Sequence, residues 1–261
     1  MQTRFTRSTR QRLITVFGRN AVRETLGDLK LDVRALHLAT SNRESSDIER
    51  LRKLAEQRSI PIFDHARDDL ARISRNKKQD QGVALDVYCP KMAPLEAFLN
   101  ERKKDDDAPS CVIGLDGVSN PQNYGMIIRS AVAAGVDGIL CTRKRNPALG
   151  PLVLKASAGT AFRAPLLRCE SPHQAARQMV DCGYALYRMS ANAPTDLYSN
   201  TFSPAQRSLF ILGGETAGIS GKLTALPGEN VAIPMSNSIE SLNVAVSASL
   251  LCFELRRRRG R

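Results

Sequence analysis

Residues 231–253 read VAIPMSNSIESLNVAVSASLLCF. A short apolar strand, 231–233, runs into Pro234, and a polar loop from Met235 to Glu240 follows. Ser241-Leu242-Asn243 then opens a helix with a face of small residues: Ala245, Ser247, Ala248 and Ser249. A buried strand passing into a tight polar loop and a helix start is the pattern of a ligand-binding edge in an open α/β sheet. Asn243 just inside a helix start is unfavourable by propensity. Either it or Ser241 can serve as the cap.

Upstream, strands and helices alternate. Residues 111–115 (CVIGL), 138–141, 184–189 and 209–212 predict strands. Pro121 to Ala134 predicts a helix with Met126, Ile127, Ala131 and Ala134 on its apolar side, and residues 151–161 and 171–182 predict two more. This alternation implies a mainly parallel sheet covered on both faces. The charged run NERKKDDDAP at 100–109 lies in an expected linker, 91–109. Before it, residues 13–90 predict a compact α/β unit of domain size. Its expected elements are a helix after Phe17-Gly18-Arg19-Asn20, a strand at 33–39 and a helix opened by a Ser46/Glu49 capping box. A strand at 60–63, a short helix through Leu70 and Ile73, and a strand at 81–88 complete it. Residues 1–12 read as a disordered basic arm.

The 261-residue chain carries a net charge of +12 and has a pI of about 9.8. Arg4, Arg7, Arg10 and Arg12 cluster at one end, Arg256 to Arg259 and Arg261 at the other. Such clustering points to a polyanion, most simply nucleic acid. Trp is absent and aromatics are sparse, which argues against a base-stacking sheet as the main reading device. The six cysteines show no C-x-x-C spacing and read as reduced, mostly buried residues of a cytosolic protein, with no metal site. His37, in an alternating strand, reads as structural, and His65 and His173 are isolated, so a hydrolytic triad is not expected. No apolar run approaches membrane-spanning length.

Three polar, Gly-bearing loops follow predicted strands. The first runs from Ser119 through Asn120-Pro121-Gln122-Asn123-Tyr124-Gly125 to Arg129. The second is Leu212-Gly213-Gly214-Glu215-Thr216-Ala217-Gly218, which is neither a dinucleotide fingerprint nor a P-loop. The third is the opening stretch, Ile233-Pro234-Met235 through Ser241-Leu242-Asn243. Taken singly, the first and third also read as capped helices, and the second reads more readily as an ordinary turn. In this order they resemble the three signature motifs of the SpoU–TrmH RNA 2′-O-methyltransferases, across about 111–258. FGRNAVRETL and VRALHLA resemble that family's L30e-like RNA-binding domain more loosely.

The resemblance implies residues 110–261 folded as an α/β methyltransferase domain with a deep trefoil knot, preceded by an L30e-like domain at 13–90. It implies S-adenosylmethionine (AdoMet) as cofactor, a homodimer with a shared active site, a structured RNA substrate and no metal. By motif position, Leu212, Gly213, Ile233, Met235 and Leu242 fall at cofactor contacts. Asn123, Arg129, Glu215 and Asn243 fall at the catalytic positions, and Ser241 is a weaker candidate. A guanidinium stays protonated, so Arg129 suits gripping a phosphate and steadying an alkoxide, with a base role as the alternative. Glu215 would orient Arg129 or the loop, or accept the hydroxyl proton itself. Asn243 would fix the ribose or the Glu215 loop, as a catalytic residue rather than a cap. The chain departs from the family pattern at Gly214, Asn120 and Asp80, the last standing where the family has His before Gln-Gly. Ribosomal RNA is the expected target, a guanosine of 23S rRNA among the options. The alternatives are transfer RNA or a non-catalytic RNA-binding or assembly protein.

Overall fold

The structure, a computed structural model, describes residues 13–42, 45–89, 92–104, 108–142 and 146–260. The basic arm expected at 1–12 lies outside them. Two compact units divide the chain, one of Met1–Pro90 with Leu149–Phe162, the other of Lys91–Ala148 with Arg163–Arg261.

The first unit runs β1 (Leu13–Phe17), α1 (Arg19–Gly27), β2 (Val33–Ala39), α2 (Ser46–Gln57), β3 (Ile62–His65), α3 (Arg67–Ser74) and β4 (Val83–Tyr88). The strand order is β1-β4-β2-β3; β4 is antiparallel to β1 and β2, and β3 runs parallel to β2. Period-two alternation places Leu36, Leu38, Leu85 and Val87 in the core. On the other face Phe17, Ala39 and Ala84 pack under Leu70 of α3. The capping box does not form: Ser45, not Ser46, is the N-cap of α2, which moves Glu49 one place too late to reach back. Strand β4 starts at Val83 because Gln81 and Gly82 take left-handed backbone, φ 52° and 74°.

The second unit continues with β5 (Ala93–Pro94), α4 (Leu95–Arg102), β6 (Ser110–Asp116), α5 (Pro121–Ala134) and β7 (Gly138–Thr142). Next in the chain is α6 (Pro151–Ala156), followed by a 3-10 turn; this stretch groups with the first unit, where α6 packs on β1. The second unit resumes with β8 (Leu166–Cys169), α7 (Pro172–Asp181), β9 (Ala185–Met189), β10 (Thr195–Asp196), β11 (Arg207–Gly213), α8 (Gly221–Thr224), β12 (Glu229–Ala232) and α9 (Val244–Arg258). Its eight strands pair in parallel, in the order β10-β12-β9-β11-β6-β7-β8-β5. Every carboxyl end therefore opens on one edge.

One sequence expectation changes here. The segment at 91–109 is not bare linker: α4 buries Leu95 and Leu99 in the core that Val112, Leu140, Leu167 and Met179 share. Arg256 to Arg259 are built into the fold. They form the last turns of α9, with Arg257 and Arg258 each 2.7 Å from Glu254 and Arg259 3.5 Å from Asp137. Arg258 also donates to the carbonyls of Leu197, Ser199 and Phe202. Cations at a helix C-terminus suit its dipole.

Candidate active site

Three neighbouring strands, β12, β9 and β11, end beside one another, and a cavity of about 280 Å³ opens over their carboxyl ends. Leu212, Gly213, Ile233, Met235 and Leu242, singled out in the sequence, all line it. Glu215, Gly218, Ile219, Ser241, Val244 and Ser247 complete much of the wall. The mix is apolar side chains, bare glycine backbone, serine hydroxyls and one carboxylate. That suits a flat heteroaromatic group against main-chain atoms, with a cationic centre near Glu215.

Each loop has a local cause. Asn120 caps α5, accepting from the backbone N–H of Gln122 (2.8 Å) and Asn123 (3.3 Å), with Pro121 in the first turn. This cap sets Asn123 at the start of α5, buried. Gly213 and Gly214 are demanded sterically. A Cβ on Gly213 would lie 2.3 Å from the Gly218 carbonyl carbon, and one on Gly214 would lie 2.3 Å from the Gly117 oxygen. The departure at Gly214 therefore reflects a close backbone crossing with no room for a side chain.

The three motifs meet at one carboxylate. Asn123 Nδ2 donates to Glu215 Oε1. Asn243 Nδ2 donates to the same oxygen at 3.2 Å and to Asn123 Oδ1 at 3.2 Å. Asn243 is also the N-cap of α9, its Oδ1 accepting the Ala245 N–H at 2.8 Å. The expectation of a catalytic residue rather than a cap is corrected: the amide has an acceptor for the helix and donors left for Glu215. Ser241 lines the cavity and caps nothing.

Arg129 stands apart. It is exposed on α5 and makes no hydrogen bond or ion pair among the described residues. Glu215 is held by the two asparagines and not by Arg129.

Thiol chemistry does not fit Cys111, Cys141 or Cys169. Burial pushes the Cys111 and Cys169 thiols up to about 11 and the Cys141 thiol up to about 12. Among the described residues no group of three or more His, Cys, Asp or Glu could hold a metal ion, and no helix is long and apolar enough to cross a membrane.

The family model described as the SpoU rRNA Methylase family matches residues 110–253, across all three loops. The chain belongs to that family. As a SpoU methylase it is an RNA methyltransferase. A second model, described as RNA 2′-O ribose methyltransferase substrate binding, matches residues 15–91. A relative from Mycolicibacterium vanbaalenii, named an uncharacterized tRNA/rRNA methyltransferase, is 31% identical over 244 residues, covering 94% of this chain and 76% of the relative. The SpoU methyltransferase AviRb of Streptomyces viridochromogenes, solved in complex with AdoMet, superposes with a TM-score of 0.75 at 24% identity, over 95% of this chain and 90% of AviRb. An AdoMet-bound rRNA methyltransferase from Sinorhizobium meliloti gives 0.72 at 23% identity, over 94% and 87%. At these identities the two structures establish the shared fold.

Sequence reading missed one wall of this SpoU site. Met189, Ser190 and Ala191 line the cavity where β9 ends. They carry no glycine or motif residue; the available signal was that every parallel strand end faces the same edge. Asp80 also reads differently in three dimensions. It is fully buried, 2.7 Å from Arg67 and bonded to Ser74 Oγ and the Gly82 N–H. It anchors its turn and is not presented to solvent.

Proposed function

We propose that this SpoU methyltransferase moves a methyl group from AdoMet to the 2′-hydroxyl of a ribose in structured RNA, with ribosomal RNA ahead of transfer RNA. The observation that carries the proposal is the meeting of Asn123 and Asn243 at Glu215, a residue lining the cavity at the strand ends. The cofactor is AdoMet, which supplies, when bound, a methyl already activated on sulfonium. Leu212, Gly213, Ile233, Met235 and Leu242 would hold it.

The protein's work is then positioning and proton removal. The asparagines fix Glu215 through Oε1, leaving Oε2 to take the hydroxyl proton. Arg129, exposed and without a partner among the described residues, grips a flanking phosphate and steadies the alkoxide as it forms. The preference for ribosomal RNA rests on the substrate-binding match at 15–91 and the L30e-like resemblance. The trefoil threading belongs to the same proposal.

A homodimer also belongs to it. Val246, Leu250 and Phe253 recur at i, i+4 and i+7 along α9, 46%, 37% and 51% exposed, and Met126 of α5 is 41% exposed. A stripe of that spacing is one helix face. Arg129 lies one turn from Met126, so a partner on this face would bring Arg129 to the subunit seam.

The test incubates protein, methyl-labelled AdoMet and total RNA, then maps protected riboses. Label on a single 2′-oxygen supports the proposal. Cofactor binding without label on any RNA contradicts it.

A further inference from the structure

Asp116 ends the central strand β6, and its side chain is 1% exposed. Its backbone pairs with Gly213 of β11. Its carbonyl oxygen accepts the Gly214 N–H at 2.8 Å. Its carboxylate Oδ2 accepts the Ser220 N–H at 2.8 Å. The two donors bracket the loop that carries Glu215, and inside it Gly218 N–H donates to the Gly214 carbonyl at 3.0 Å. A buried carboxylate is costly unless its oxygens are satisfied, so this contact couples the end of β6 to the loop. Beyond Asp116 the chain turns through Gly117, φ 77°, into the Asn120 cap that sets Asn123. One residue thus references both the Glu215 loop and the helix whose asparagine binds Glu215.

We infer that Asp116 is a positioning residue: its carboxylate clamps the far end of the loop at Ser220 and so sets where Glu215 meets Asn123 and Asn243. The inference rests on the reading of Glu215 as part of the catalytic cluster. It adds a buried residue that acts on the reaction through the loop.

The test is a cycle built on the donor and the acceptor. Asp116→Ala removes the acceptor. Ser220→Pro removes the donor at a backbone φ of −64°, which proline adopts. Asp116→Asn keeps an oxygen that can accept. Losing a hydrogen bond to a charged group predicts at least about a tenfold fall in kcat for Asp116→Ala and for Ser220→Pro. The double variant should be no worse than either single one, and Asp116→Asn should stay within about threefold of the parent. Hydrogen exchange of the protein without cofactor supplies a second readout. The Gly214–Gly218 amides should exchange faster in Asp116→Ala, while α9 keeps its protection. Multiplying losses in the double variant, or unchanged loop exchange in a folded Asp116→Ala, overturns the clamp. Normal turnover in Glu215→Gln would instead remove the catalytic reading, and the exchange result would still report on the clamp.

Discussion

Asn243 does two jobs with one amide, and a substitution can separate them. Asn243→Ser keeps an oxygen for the Ala245 N–H but loses the donors to Glu215 and Asn123. Serine caps about as well as asparagine. Thermal stability should hold while kcat falls about tenfold or more; equal kcat would mean the asparagine serves only as a cap. The sequence reading set catalyst against cap, whereas one amide can serve as both. His37 gives a pH prediction. It was read as structural, and it sits with Nδ1 3.0 Å from His65 Nε2 and Nε2 3.5 Å from Asp86, so His65 is not isolated. The His37 imidazole holds the Asp86 carboxyl below the usual aspartate range, burial opposes this, and Thr15 adds a further hydrogen bond. A depressed folded value stabilises above the unfolded value, about 4, and that contribution is lost as pH falls through the folded value. Unfolding measured from about pH 6 to 2 should show a smaller acid-side loss for Asp86→Asn than for the parent. Parallel pH curves would contradict this.

Helix α5 was legible to the residue because its ends carry explicit signals: an Asn-Pro start and Gly135 in left-handed backbone. Elements without such signals were not. Helix α4 follows a proline and merges into a charged run, and β8 is only four residues with two of them buried. The small face of α9 was legible as a pattern, and its reason is now specific. Ala245 and Ala248 are buried, Ser249 Oγ lies 2.7 Å from Ser130 Oγ, and α5 packs on α9. The opposite, exposed stripe predicts association: Leu250→Glu with Phe253→Glu should convert a dimer to a monomer by sedimentation and cut methyl transfer at least tenfold. A monomeric parent of full activity would remove the dimer from the proposal. In the Glu215 loop, Gly213→Ala places a methyl carbon 2.3 Å from Gly218 backbone. AdoMet affinity by calorimetry should fall at least about tenfold; unchanged affinity would show that the loop does not form the cofactor wall.

At the scale of the whole chain, the parallel sheet was readable from alternation alone, and the family from three loops in order. What periodicity cannot show is which strand ends become neighbours. The wall at Met189–Ala191 depended on β9 lying between β12 and β11. The grouping of Leu149–Phe162 with the first unit was equally hidden, because α6 is a helix of only six residues. Net charge gives a prediction that belongs to the molecule. At +12, RNA affinity should fall at least tenfold between about 50 and 200 mM salt. A flat salt response would rule out phosphate contacts as the main source of affinity. The central claim is methyl transfer to a ribose 2′-oxygen through Glu215, and one measurement tests it most directly. The parent and Glu215→Gln, each shown to bind AdoMet, are incubated with labelled cofactor and total RNA, and 2′-O-methyl positions are mapped. One modified ribose is expected with the parent, and about a hundredfold slower modification with the variant. Label on a base instead of a ribose, or equal rates for the two proteins, would contradict it.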